Sequence, residues 1–140
     1  MPRSVFVDTS GWYALIDRQD ARHTAVVALV QRFVRAGTRL VTTDYVIDES
    51  CTLAKARAGS LMAFRLLDLV RGTEALDLEW IGSERFDRSE AELRKYHDQA
   101  FSFTDCTSFA VMREMRIAEV ITTDAHFRIA GFRIVPEDAP

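Results

Sequence analysis

Ser4-Val5-Phe6-Val7-Asp8-Thr9-Ser10 is an apolar run that stops abruptly at an acid and two hydroxyls. Apolar, partly β-branched residues bounded at once by turn-forming Asp, Thr and Ser predict a short buried strand. Two later stretches repeat the pattern: Leu40-Val41 runs into Thr42-Thr43-Asp44, and Val120-Ile121 into Thr122-Thr123-Asp124. Between them lie longer stretches with apolar residues at helical spacing, which is the alternation of strands and helices expected of a parallel sheet.

Working outward, the same reading places five strands, at Ser4–Val7, Arg39–Thr42, Ala75–Trp80, Ala118–Thr122 and Phe132–Val135. Helices are expected over Gly11–Asp17, Arg22–Arg35, Asp44–Arg57, Ser60–Val70, Ser83–Asp98, Asp105–Arg116 and Ala125–Ile129, with Gly37, Gly59, Gly72 and Gly131 near their ends. The chain has 140 residues, 48% of them apolar, which is enough to bury one core and too few for two. A single domain over residues 1–140 is therefore expected, with Pro136–Pro140 as a loose tail. Cys51 and Cys106 stand far apart without a CxxC or a histidine pair, so neither a zinc knuckle nor a disulfide framework is supported. No apolar run is long enough to span a membrane, and Asp8 stands where a signal peptide would be apolar, so a soluble cytoplasmic chain is expected.

The net charge of −3 predicts no global attraction to polyanions. The balance is uneven, however: residues 1–72 carry 10 basic and 7 acidic groups, and residues 73–140 carry 8 and 14. Sixteen of the 18 cations are Arg, a bias that suits phosphate oxygens but that genome base composition also produces. Which arginines would contact phosphate is not legible at this level. Trp12, Tyr13, Phe101 and Phe103 are candidates for stacking on a ligand or for an interface, with core packing as the default.

In an open α/β sheet, ligands bind beyond the carboxyl ends of the strands, and Asp8 and Asp124 both fall there. Each could equally cap a helix or make a turn. Glu49 projects among Val46, Tyr45, Leu53 and Ala56 in the apolar stripe of its helix, whereas Asp48 points off it. A carboxylate facing a core requires an arginine or a cation. Asp105 follows Ser102-Phe103-Thr104 and shares a face with Phe109 and Met112, although an acid in a first helical turn also meets the helix dipole. Pooled on one rim, four carboxylates would raise one another's pKa unless a divalent cation held them ionised, and oxygen ligands favour Mg²⁺ or Mn²⁺.

These residues resemble the PIN domain family of nucleases and, within it, the VapC toxins of type II toxin–antitoxin modules. The resemblance runs from about Ser4 to Pro136 and rests on four pieces: Val7-Asp8-Thr9-Ser10; Thr42-Thr43 followed by Glu49; Ser102-Phe103-Thr104-Asp105-Cys106; and Thr122-Thr123-Asp124-Ala125-His126-Phe127 with Gly131 after it. It implies a three-layer α/β/α sandwich with a five-stranded parallel sheet. It also implies a Mg²⁺- or Mn²⁺-dependent endoribonuclease that inhibits translation, works as a homodimer and is silenced by an antitoxin protein. Carried over, the metal-binding and catalytic quartet is Asp8, Glu49, Asp105 and Asp124, with Thr9 and Thr104 beside the pocket. Asp8 and Asp105 would anchor the main ion, and Glu49 and Asp124 would complete the cage or orient the attacking water. His126 stands where some relatives carry a further acid, and Asp98 is a possible outer acid. His23 and His97 fall on polar surfaces and receive no role.

Other phosphate enzymes fit less well. Dehalogenase-type phosphatases use Asp-x-Asp after the first strand, and Ser10 breaks that pattern; receiver domains need a late lysine, and neither Lys55 nor Lys95 is one. No GxGxxG or GxxxxGK[ST] occurs. The alternatives that stay open are a non-catalytic RNA- or protein-binding module and a nuclease acting on DNA structures.

Overall fold

A computed structural model describes residues 3–137. In chain order the elements are β1 (Ser4–Val7), α1 (Thr9–Ile16), α2 (His23–Arg35), β2 (Arg39–Thr43), α3 (Asp44–Ala58), α4 (Ser60–Gly72), β3 (Leu76–Glu79), α5 (Gly82–Lys95), α6 (Phe103–Met115), β4 (Glu119–Ile121), α7 (His126–Ile129) and β5 (Arg133–Val135). The strands form one parallel sheet in the order β3-β2-β1-β4-β5.

The order fixes where a site can form. From β1 the chain steps outward through β2 to β3, then crosses back to β4 on the other side of β1. Right-handed crossovers put helices α1–α4 on one face and α5–α7 on the other, giving the three expected layers. The reversal of direction opens a crevice at the carboxyl ends of β1 and β4. Val7 pairs with Ile121, so Asp8 and Thr122 leave the sheet side by side.

The core explains the runs read from sequence. Val5, Phe6 and Val7 are fully buried, as are Val41, Val120 and Ile121, because a central parallel strand is covered on both faces. On the α6 side Phe109 is fully buried against Phe101, Phe127 and Phe132, with ring centroids 5.1, 5.1 and 5.7 Å away; removing such a ring costs about 3–5 kcal/mol. Trp12 is also core, and its Nε1 donates to Thr42 Oγ1 at 3.1 Å. Of the aromatic candidates, Trp12, Tyr13 and Phe101 are thus buried, while Phe103 is half-buried beside Tyr45 and Phe86.

Several boundaries move. Helix α1 begins at Thr9 rather than Gly11, because Asp8 is already the extended residue that precedes the first turn. Helix α6 begins at Phe103 rather than Asp105, since Ser102 caps it. Strand β3 stops at Glu79, leaving Trp80 68% exposed beside an outer strand. Helix α5 ends at Lys95, short of Asp98. The last three residues of the expected tail lie outside the described residues. Among the described residues, no helix is long and apolar enough to cross a membrane.

Candidate active site

At the end of β1, Asp8 has the backbone of a helix cap, yet its side chain makes no capping hydrogen bond to the turn that follows. Its Oδ2 instead accepts from Thr122 Oγ1 at 2.9 Å. The Thr122 hydroxyl in turn accepts from the Asp124 backbone N–H at 3.1 Å and lies 3.0 Å from Ser10 Oγ. Because Thr122 has one proton and gives it to Asp8, Ser10 must donate to Thr122. The Thr123 N–H, 2.9 Å away, then donates to Ser10 Oγ. This chain of donors joins the ends of β1 and β4, and Asp8 N–H to Ile121 O at 3.1 Å closes the same seam in the backbone.

Gly11 is what lets the seam close. A Cβ there would sit 2.4 Å from the Ile121 carbonyl oxygen, inside any tolerable contact, so only glycine allows the first turn of α1 to lie against the end of β4. Asp8 is buried and flanked by Asp105 and Glu49. Burial above all, then the two neighbouring carboxylates, push its pKa up to about 7, against the opposing pull of the Thr9 backbone and the Thr122 hydroxyl.

Asp105 is the third residue of α6 and makes a reciprocal cap: its N–H donates to Ser102 Oγ at 3.0 Å, and its Oδ2 accepts from Ser102 N–H at 3.1 Å. The capping role weighed from sequence is therefore real, but it leaves the carboxylate facing the crevice. His126 Nδ1 lies 3.1 Å from Asp105 Oδ2 and 3.4 Å from Asp124 Oδ1, with its ring 5.1 Å from that of Phe101. Asp124 Oδ1 also accepts from the His126 N–H at 2.9 Å.

Glu49 corrects the helical projection. The buried stripe of α3 is Val46, Ile47, Ser50 and Ala54, and Glu49 lies beside it, exposed to a cavity rather than to the core. Helix α3 turns its flank, not its centre, toward the crevice, so Glu49 reaches the cavity from beside the buried stripe. Thr9 Oγ1 donates to Glu49 Oε1 at 2.8 Å, which fixes the carboxylate from α1.

Asp8, Thr9, Glu49 and Asp124 line one cavity of about 550 Å³ together with Ser10, Tyr13, Leu53 and Arg57 among others. Asp105 joins it through Asp8 and His126. Among the described residues, the tightest group of metal-ligating atoms is that of Asp105, Asp124 and His126, all within 4.8 Å of one another. Thr104 is half-buried, and its hydrogen bond runs through its carbonyl, which accepts from Thr107 Oγ1 at 2.6 Å. Asp98 and His97 are exposed outside the site. His23 is half-buried rather than a polar-surface residue: its Nδ1 donates to Ala14 O at 2.7 Å, tying α2 to α1.

Ser10, Thr122 and Gly11 were not singled out from sequence. The first two stand inside quoted motifs and differ from any strand-end hydroxyl only through contacts between residues more than a hundred positions apart.

Comparisons with known proteins bear on the family and the fold. The chain is 32% identical over 133 residues to a Mycobacterium tuberculosis protein described as the 23S rRNA-specific endonuclease VapC20, covering 91% of this chain and 95% of that one. The crystal structure of that protein, titled a sarcin–ricin loop cleaving toxin, superposes with a TM-score of 0.80 at 30% identity, over 91% of this chain and 95% of the other. A VapC ribonuclease of Archaeoglobus fulgidus is 26% identical over 129 residues, covering 90% and 80%. The VapBC2 structure from Rickettsia felis, bound to a promoter DNA fragment, shares the fold at 9% identity, with a TM-score of 0.72 over 96% and 99%. The model of the PIN domain matches residues 5–133, a span that reaches from within β1 to the first residue of β5 and holds Asp8, Glu49, Asp105 and Asp124, and the chain belongs to the PIN domain family.

Proposed function

We propose that this chain is a divalent-metal-dependent endoribonuclease, a single catalytic domain that serves as the toxin of a type II toxin–antitoxin pair. The observation that carries the reading is the convergence of Asp8, Glu49, Asp105 and Asp124, from four separate elements, on the crevice where the sheet reverses direction. The similarity to ribonucleases of the VapC type supports the choice of RNA.

The donor set fits a hard cation. Asp8 is buried next to two other carboxylates, an arrangement whose cost a positive ion relieves, and Asp105, Asp124 and His126 converge closely enough to share one. When bound, a Mg²⁺ or Mn²⁺ ion supplies a neutral-pH water nucleophile and charge neutralisation at the phosphate. Asp8, Asp105 and Asp124 would hold it, and the imidazole of His126 adds a nitrogen donor that Mn²⁺ accepts more readily than Mg²⁺ does. Glu49, held by Thr9 and open to the cavity, orients the attacking water and accepts its proton. Thr122 holds Asp8 in place. Attack by water leaves a 5′-phosphate and a 3′-hydroxyl.

An antitoxin protein silences the activity, the chain functions as a homodimer, and it acts in the cytoplasm where ribosomal RNA is found. The test is incubation with total RNA and with 23S ribosomal RNA in Mg²⁺ or Mn²⁺. Cleavage that EDTA and Asp105→Asn both abolish, with 5′-phosphate ends, is the expected result. A 2′,3′-cyclic phosphate product, or cleavage of structured DNA alone, would contradict it.

A further inference from the structure

An acidic crevice repels the polyanion it is meant to cut, so a phosphate-binding cation has to stand on its wall. Most arginines near the folded core are committed elsewhere. Arg39 pairs with Asp77 at 2.7 Å, Arg85 with Glu114 at 2.7 Å, and Arg113 with Glu92 at 2.6 Å, while Arg65 donates to the Ile16 carbonyl. The cavity itself is lined by Arg22 and Arg57.

Arg57 is placed by the same helix as Glu49. Positions 49, 53 and 57 recur at intervals of four along α3 and share a flank, and Glu49, Leu53 and Arg57 all line the cavity. Their α-carbons are therefore about 12 Å apart along the helix axis, and both side chains reach the same wall. The guanidinium lies over the Tyr13 ring, 5.1 Å from its centroid. Tyr13 is itself fixed, being buried and donating its hydroxyl to Asp17 Oδ2 at 2.6 Å. Stacking on a rigid ring orients the planar fork while leaving its N–H edge free, and a preoriented fork loses less entropy on gripping a phosphate. Arg57 is otherwise exposed, so a ligand can reach it.

We propose that Arg57, stacked on Tyr13, binds a backbone phosphate of single-stranded RNA next to the one being cut, and so seats the strand across the acidic crevice. This rests on the ribonuclease reading above. Single-stranded RNA suits the site because its backbone can bend into a cavity, whereas a rigid A-form duplex presents its phosphates on a convex surface.

The experiment measures binding separately from cleavage. A fluorescein-labelled single-stranded RNA is titrated against full-length Asp105→Asn protein in Mg²⁺ at several KCl concentrations, with and without Arg57→Gln, Arg57→Lys or Arg94→Gln added. Losing one charge-assisted phosphate contact is expected to raise Kd about tenfold or more and to reduce the slope of log K against log salt by about 0.7. Arg57→Lys should restore the slope but only part of the affinity. Arg94, ion-paired with Glu90 and away from the cavity, should change neither. In the otherwise unmodified enzyme, Arg57→Gln should raise KM with little change in kcat. A purely structural role for Arg57 would lower Tm without changing the salt slope, and that result overturns the proposal, as does an unchanged Kd. If the unmodified protein cuts no RNA while the Arg57 slope change persists, the ribonuclease reading fails and the binding site stands.

Discussion

The Thr122 hydroxyl donates to Asp8 Oδ2 across 2.9 Å, although the two residues are 114 positions apart. Among the described residues it is the one side-chain proton given to the most buried acid of the crevice, and it is aimed there because Ser10 Oγ and the Asp124 N–H both occupy the acceptor side of Thr122.

Replacing Thr122 with Val keeps the shape and removes that proton. Loss of a hydrogen bond to a charged group costs about 1.5–3 kcal/mol, here charged against the ionised form of Asp8. The alkaline shift of the acidic limb in a pH–rate profile is the expected signature, with Thr122→Ser close to the unmodified protein. An unshifted profile in the valine variant would remove Thr122 from the site's working parts.

Asp8 should also make stability depend on pH. Its folded pKa, about 7, lies above its ordinary value of 3.8, so the folded state binds the extra proton between these limits. The contribution is complete below the lower value and is lost as pH rises through the upper one, by at most about 4 kcal/mol. Metal-free protein should therefore melt at lower temperature at pH 8 than at pH 5.5, and Asp8→Asn should flatten that dependence. Because a bound cation displaces the same proton, Mn²⁺ affinity measured calorimetrically should rise across this interval.

Gly11→Ala should be costly despite the good helix propensity of alanine. The added methyl meets the Ile121 carbonyl oxygen at 2.4 Å, and relief requires prising α1 from β4. Overpacking of this kind costs about 1–3 kcal/mol. Chemical denaturation reports the loss, and because the same movement separates Thr122 from Asp8, RNA cleavage should fall further than the unfolded fraction accounts for. A stable, fully active variant would show that the contact has room to relax.

His126→Asn should weaken divalent-ion binding about 10–100-fold, the usual effect of disturbing a group that holds metal-binding carboxylates. Nδ1 faces both Asp105 and Asp124, so the change acts on two acids at once. On the proposed reading, in which the histidine is a nitrogen donor, Mn²⁺ should lose more affinity than Mg²⁺. Equal affinities for both ions before and after substitution would exclude it from the metal's surroundings.

Much of the fold was legible because burial on both faces leaves a plain signature. Val5-Phe6-Val7 and Val120-Ile121 can be apolar throughout only in strands covered from both sides. Boundaries were less legible where a residue serves the site instead of its element. Asp8 ends a strand and starts a helix without capping it, and Asp105 caps through a Ser102 partner that shifts the helix start by two residues. Periodicity places Glu49 in an apolar stripe, yet it is an exposed wall residue beside the buried stripe of α3.

By itself, the order of residues determined that the strands are parallel, that acids follow them, and that a hard cation is the natural companion of such acids, because these depend on local pattern and on the chemistry of carboxylates. Only the tertiary structure decided which hydroxyl serves which acid, that His126 stands between Asp105 and Asp124, that Gly11 is the hinge of the seam, and that Arg57 faces the cavity from a tyrosine ring. Those facts depend on the register of β1 against β4 and the packing of α1 on α3. Register and packing are set by the whole core at once, and no short stretch of chain encodes them.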